Sequence, residues 1–411
     1  MLPGGGARGA FQVGVLQALA DMMPHGAANP FPVISGTSAG ALNSVVLASR
    51  ARRFRLAVAE LARVWGHFSC DQVFRADNWT MLKSSLHWLG AIVLGGTVIG
   101  APTSLLDNSP LRTLLEKNVR FPRIQDAIDH GYLDAVAITA AGYSSARSTS
   151  FFQASSDSLQ WSRTRRIGIR RKLGLDHLMA SIAVPLVFPP VRIGGEYFGD
   201  GAMRQATPLS SAIHLGADRI LVIGVRNEMG STVEEAPVPA HPTKPPSFAH
   251  IAGYMLDTLF MDGLYSDIER MTRINQLIDA VPPTDRSGAM ARVRPVDTMI
   301  VLPSEDLREL AEQYVAEMPR SVRTLLHGVG GRSDRGANRL VSFLLFEKGY
   351  TQRLMRLGYD DAMAVKDELL AFVSGEAVPR LFAPSWVRRD LTGVLPDGHS
   401  RNAAPKPRND M

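Results

Sequence analysis

The chain has almost no cysteine. A single thiol, Cys70, in 411 residues excludes an intrachain disulfide framework and a thiolate-rich zinc centre. Nothing in that usage calls for an oxidising compartment, so a reducing, cytoplasmic setting with at most peripheral membrane contact is the expectation. A strong charge imbalance is missing too. The 45 basic and 39 acidic side chains leave a formal charge of +6, too small a surplus for a nucleic-acid footprint, and no nucleic-acid partner is expected. Charged residues make up 20% and hydrophobic ones 45%, which excludes a mostly disordered chain. A secretory leader is not read at the start either, because Met1-Leu2-Pro3 runs directly into glycines.

One stretch lacks charge altogether. Residues 84–106 contain no Asp, Glu, Lys or Arg, and that length would reach across a bilayer core of about 30 Å. Gly90, Gly95, Gly96, Gly100 and Pro102 divide it into short apolar pieces. It therefore reads as a buried or lid-like segment rather than a span, with interfacial membrane contact as the alternative. Basic charge, by contrast, is concentrated twice. Arg163, Arg165, Arg166, Arg170, Arg171 and Lys172 form one cluster, and residues 380–411 carry six basic against three acidic side chains. A solvated face is the plain reading of both.

Strand and helix alternate through the first half. The run Phe31-Pro32-Val33-Ile34-Ser35 closes on Gly36, and residues 39–48 follow without a breaker, so strand, tight turn and helix are predicted. A helix is also expected over residues 11–20. Ser109 and Pro110 supply an N-cap and a first-turn proline for a further one. Residues 133–141 and 149–153 read as strands around a polar turn, and residues 219–225 as a central strand. Five prolines between 227 and 248 mark a linker after a domain of residues 1–226. Residues 249–378 read as mainly helical, with Ser304 capping a helix whose face is Leu307, Leu310, Ala311, Tyr314, Val315 and Met318. Residues 299–302 read as one more strand completing the same sheet. Residues 379–411 have prolines, basic residues and little periodicity, and are expected to be largely disordered.

Gly36-Thr37-Ser38-Ala39-Gly40 is a G-x-S-x-G sequence placed between that strand and helix. A nucleophile elbow needs small neighbours because its serine sits on a strained turn against adjacent backbone. The following helix N-terminus adds partial positive charge near a developing oxyanion. Gly4-Gly5-Gly6-Ala7-Arg8-Gly9 fits three readings: a dinucleotide-binding turn, an oxyanion hole of unobstructed backbone N–H groups, or a plain glycine turn opening a helix. The first lacks its leading strand and its acidic residue about 20 positions on. The ten histidines include none in a recognisable triad setting, and each reads as an ordinary surface or core residue. Asp200, in Gly199-Asp200-Gly201-Ala202 after Tyr197-Phe198, is the acid that stands out. Alone, Asp-Gly is a turn; its weight comes from the company of the other two motifs.

Together these residues resemble the patatin-like phospholipases, serine lipid acyl hydrolases with a Ser–Asp dyad. The resemblance covers residues 3 to about 225 and is also carried by Ser181-Ile182-Ala183-Val184-Pro185-Leu186-Val187-Phe188-Pro189-Pro190. It implies an α/β fold, with a central mostly parallel sheet, helices on both faces and a mainly helical C-terminal extension. It also implies that Ser38 is the nucleophile, Asp200 the base, and the N–H groups around Gly5 and Gly6 the oxyanion hole. No cofactor or metal is called for, and the expected partner is a phospholipid, lysophospholipid or other acyl ester. The segment 84–106 would then wall an acyl site, and the 163–172 cluster would meet phosphates of an anionic membrane. A soluble carboxylesterase or thioesterase on the same dyad, and a non-catalytic lipid-binding module, are the alternatives. One departure stands at the start, where the family has an apolar strand and this chain has three residues. Either the natural start lies upstream, which is the favoured expectation, or another segment fills the gap, or the glycine loop is poorly held.

Overall fold

In the computed structural model, which describes residues 1–75, 104–155, 160–226, 248–288, 293–324, 335–385 and 387, the sheet is built outward from one strand. That strand, β2 (Ala135–Gly142), is buried at every position, as expected of small and β-branched residues covered on both faces. Parallel to it runs β1 (Val33–Thr37), with Val33 opposite Ala135 and Thr37 opposite Thr139. On its other edge lies β3 (Ser148–Ala154), antiparallel through the predicted polar turn. Beyond β3 come β4 (Trp161–Arg163) and β5 (Arg166–Arg170), and beyond β2 the hairpin of β6 (Val191–Ile193) and β7 (Glu196–Asp200). A second, all-parallel group holds β8 (Arg219–Ile223), β9 (Asp297–Val301) and β10 (Leu381–Phe382).

Met1 and Leu2 join the two groups. Leu2 bridges Gly36 in parallel register, its N–H donating to the Ser35 carbonyl (2.8 Å) and its carbonyl accepting from Thr37 (3.1 Å). On the other side Ile223 donates to the Met1 carbonyl (3.3 Å). Two residues thus carry the hydrogen bonding from β1 to β8, so the gap at the chain start is filled and strand β9 extends the common sheet. Between two parallel neighbours even a two-residue ladder is held from both edges.

Helices cover the faces: α1 (Ala10–Met22), α2 (Ala39–Ser49), α3 (Phe54–Trp65), α4 (Leu175–Ser181), α5 (Phe248–Asp279), α6 (Arg335–Leu344) and α7 (Lys348–Met363). Almost all of α1 is buried, because the C-terminal helices close over it. One core runs from Leu2 to Val387 and takes side chains from both halves of the chain.

Three details differ from the sequence reading. The helix at 307 is capped by Asp306, whose carboxylate accepts from the Arg308 N–H (2.8 Å), and it ends at Glu312. Ser304 instead donates its N–H to Asp361 (2.9 Å). The predicted disorder from 379 does not hold for its first residues. Leu381 and Phe382 pair with Thr298 and Met299, and Arg380 reaches Asp279 and Asp297, each at 2.9 Å; a two-residue strand leaves no periodicity to read. Most of the apolar stretch 84–106, and residues 227–247 of the proline-rich segment, lie outside the described residues. Among the described residues no helix is long and apolar enough to cross a membrane.

Candidate functional site

Register alone brings Ser38 and Asp200 together. Strand β1 ends with Thr37 opposite Thr139, and β7 arrives from the opposite direction with Asp200 opposite Ala140. The two strands therefore meet end to end along one edge of β2, and the residue after one faces the last residue of the other.

The turn at Ser38 is strained, with φ 54° and ψ −126° in a non-glycine residue. Two contacts over-determine it. The Ser38 N–H donates to Ser181 Oγ (3.0 Å), and Ser181 donates in turn to the Thr139 carbonyl (2.7 Å), so the buried end of α4 pins the elbow to β2. Beneath it, a Cβ on Gly40 would stand 2.0 Å from the Leu2 carbonyl. The motif's second glycine is thus needed for α2 to pass the chain start.

Asp200 is 1% exposed. Its Oδ1 accepts from the Ala202 N–H (2.9 Å) while Oδ2 is buried with no hydrogen-bond partner. Burial pushes its carboxyl up to about 7, opposed by the nearby Ser38 hydroxyl and the Ala202 N–H, which favour the charged form. A buried carboxylate with one open oxygen, titrating near neutrality beside a serine, can take a proton and return it. The Tyr143 phenol lies against Gly199, and both its burial and the Asp200 carboxylate raise its pKa.

Gly6 to Gly9 form a single 3₁₀ turn leading into α1, with Gly6 at φ +55°. The first bond of that turn runs from the Arg8 N–H to the Gly5 carbonyl (3.1 Å), so the Gly5 and Gly6 N–H groups precede it and are not consumed by the helix. The loop is firmly held. Gln12 donates to the Pro3 carbonyl (2.8 Å), Asn43 donates to Gly9 (3.2 Å) and to Gln12 Oε1 (2.9 Å), and Trp65 donates to Asn43 (2.8 Å). The Arg8 side chain is buried against α6. There Nε and Nη2 donate to Ser342 Oγ (3.0 and 2.6 Å) and the guanidinium lies 3.9 Å from the Phe343 ring centre. A poorly held glycine loop is therefore excluded.

Ser38, Ala39 and Gly6 open on one cavity of about 50 Å³, walled by apolar side chains. Leu42, Trp65 and Phe68 come from the first half, as do Ile182, Val184, Val187 and Phe188 of the 181–190 run. Phe343, Leu344 and Phe346 come from the C-terminal region. Such a lining suits a hydrocarbon chain and gives a pyrophosphate nothing to bind, which removes the dinucleotide reading of the glycine loop. Leu105 and Leu106, at the end of the charge-free stretch, bond to the carbonyls of Leu186 and Val187 (2.8 and 2.9 Å) beside this wall. Sequence reasoning missed the C-terminal wall and the Asn43–Trp65 tether. It quoted Ser181 without its role; an apolar helix end carries no signal of what it encloses.

No curated protein matches the chain. The patatin-like phospholipase family matches over residues 1–213, more than half of the 411 residues and the part that contains the elbow, the glycine loop and Asp200. The chain belongs to the patatin-like phospholipase family.

Proposed function

We propose that the protein hydrolyses fatty-acyl esters of phospholipids or lysophospholipids through an acyl-enzyme on Ser38. Membership of the family makes it a lipid acyl hydrolase in general. What carries the finer reading is that Ser38 and a buried, half-satisfied Asp200 meet above an apolar cavity.

In this mechanism Ser38 Oγ attacks the ester carbonyl as its proton passes to Asp200 Oδ2. The carbonyl oxygen becomes an oxyanion held by the Gly5 and Gly6 N–H groups. Collapse expels the alcohol, which takes the proton from Asp200 and leaves the acyl group on Ser38. Water then attacks, giving its proton to Asp200, and the second collapse returns that proton to Ser38 as the fatty acid departs. Desolvation is what makes the base competent, since a free carboxylate of pKa about 3.9 would hold a serine proton poorly.

Labelling with a fluorophosphonate probe tests the assignment. Wild type should label and Ser38→Ala should not; equal labelling of both would remove Ser38 from the mechanism. Comparing monomeric with micellar esters separates a lipid hydrolase, faster on aggregates, from a soluble carboxylesterase or thioesterase, indifferent to them.

A further inference from the structure

The structure divides the basic cluster in two. Arg170 is tied back to the chain, donating to the carbonyls of Ala154 and Ser155, both at 2.7 Å. Arg163, Arg165 and Arg166 instead line an open groove of about 680 Å³, joined there by Arg204, which stands far away in sequence. The groove lies between the β4–β5 hairpin, the segment after Asp200, and α5, where Gly263 lets the helix approach the Gln205 carbonyl closely.

Among the described residues no carboxylate lines this groove. Among the described residues none of its four arginines forms an ion pair: Arg163 donates only to the Ser162 carbonyl (3.2 Å), and Arg166 Nη1 only to Thr207 Oγ1 (2.8 Å). Arg166 is half-buried and its Nε has no partner, so the protein leaves that charge incompletely compensated. Asp267 feels the Arg166 charge without forming an ion pair with it; its carboxylate accepts from the Leu209 N–H (3.0 Å) and lies 3.8 Å from Arg270. Four like charges in one concavity repel each other and focus a positive field. The complement is an anion with several oxygens at fixed angles, which guanidinium groups bind in pairs. Thr207, having accepted from Arg166, keeps its own O–H to donate.

We infer that the Arg163–Arg165–Arg166–Arg204 groove is a binding site for a phosphate group, carried either by a lipid headgroup or by a soluble phosphate ester. Its floor includes Ala202 and Gln205. The Ala202 N–H holds Asp200 Oδ1, and Gln205 Oε1 accepts from Thr37 Oγ1 (2.6 Å). A ligand there would rest on the segment that fixes Asp200.

Binding is measured on full-length Ser38→Ala protein, so that it does not depend on hydrolysis and cannot fail with the proposed activity. The probes are inorganic phosphate, followed by calorimetry, and phosphatidylcholine vesicles containing phosphatidic acid, followed by co-sedimentation. Arg165→Gln with Arg204→Gln removes two exposed groove charges. Arg171→Gln with Lys172→Gln removes the same charge outside the groove. The groove pair should weaken binding about tenfold or more, each basic group at such a surface being significant alone, while the outer pair changes it by less than about twofold. Phosphate binding without vesicle binding assigns a soluble ester, and vesicle binding displaced by phosphate assigns a headgroup; both support the site. Absence of binding to either probe overturns it, as does equal loss in the two double variants.

Discussion

The two halves of this protein divide the labour unequally. Residues 1–213, matched by the family, carry every group the proposed mechanism uses: Ser38, Asp200 and the glycine loop. The C-terminal half carries none of these, yet it supplies Phe343, Leu344 and Phe346 to the cavity beside Ser38 and Ser342 to the buried Arg8. Chemistry is thus written in short motifs, whereas containment is written in a tertiary contact between regions more than 300 residues apart. One half should decide whether a bond breaks, and the other which chain is accepted and how firmly the loop is held.

The sharpest way to break that division is at the dyad. Ser38→Ala should remove turnover and covalent labelling while the melting temperature stays near wild type, since alanine fits the turn at least as well. Asp200→Asn should lower kcat by about 10³–10⁴-fold, the scale seen when a base is lost from such a site. Because Asp200 must be ionised to accept a proton and burial holds it near 7, wild-type kcat should climb to a plateau through that pH. A pH–rate profile checks this, and a flat profile between 5 and 8 would reject Asp200 as base.

Stability should move the other way with pH. The folded state raises the Asp200 pKa, so it favours the neutral carboxyl. Its contribution is complete below the unfolded value of about 3.9 and is lost as pH rises through 7, at about 1.4 kcal/mol for each pH unit in that interval. Asp267 and Asp361, also raised by burial, push in the same direction. The informative quantity is therefore the wild-type minus Asp200→Asn difference in urea-unfolding free energy, which should shrink from pH 4 to pH 8. A constant difference would mean that Asp200 is not desolvated.

Ser38 and the glycine loop were legible because strained turns and close approaches admit few residue types, and Asp200 only through their company. The pairing of Thr37 with Thr139 beside that of Asp200 with Ala140 was not, since strand register depends on partners far away in sequence. The hold on the start of the chain was hidden for a related reason. Two residues are too few to read as a strand, yet Met1 and Leu2 are hydrogen-bonded on both sides, to β8 and to β1. Likewise the run of arginines and a lone Arg204 shared no pattern until the segment after Asp200 folded beside the β4–β5 hairpin.

The clamp between the halves should show a smaller effect than the dyad. Ser342→Ala takes away the oxygen to which Arg8 donates twice and should cost about 1–3 kcal/mol, the range for a buried charged donor losing an acceptor. Because Arg8 belongs to the turn that starts at Gly6, which lines the cavity and is part of the proposed oxyanion hole, kcat should also fall, by about tenfold, with KM little changed. Urea unfolding and steady-state kinetics read the two effects separately. Lost stability with full kcat would leave the C-terminal half a structural cover and nothing more.

The smallest expected change is also the most direct test of containment. Phe346 lines the cavity, stacked on Trp65 at 6.3 Å and edge-on to Phe68 at 5.8 Å between ring centres. Phe346→Leu keeps the wall apolar but shortens it, so room is gained without exposing a polar atom. Each additional methylene that the enlarged cavity can bury contributes about 0.8 kcal/mol, equivalent to about fourfold in kcat/KM when it is realised in the transition state. Across a series of p-nitrophenyl esters the optimum should therefore move toward longer acyl chains, with the ratio of long to short rising about threefold to tenfold. Turnover of the shortest ester should stay within about twofold of wild type, because the substitution leaves Ser38, Asp200 and the glycine loop in place. An unchanged chain-length profile, together with a lowered melting temperature, would show that Phe346 only packs against Trp65. Selection would then reside wholly in the family-matched half.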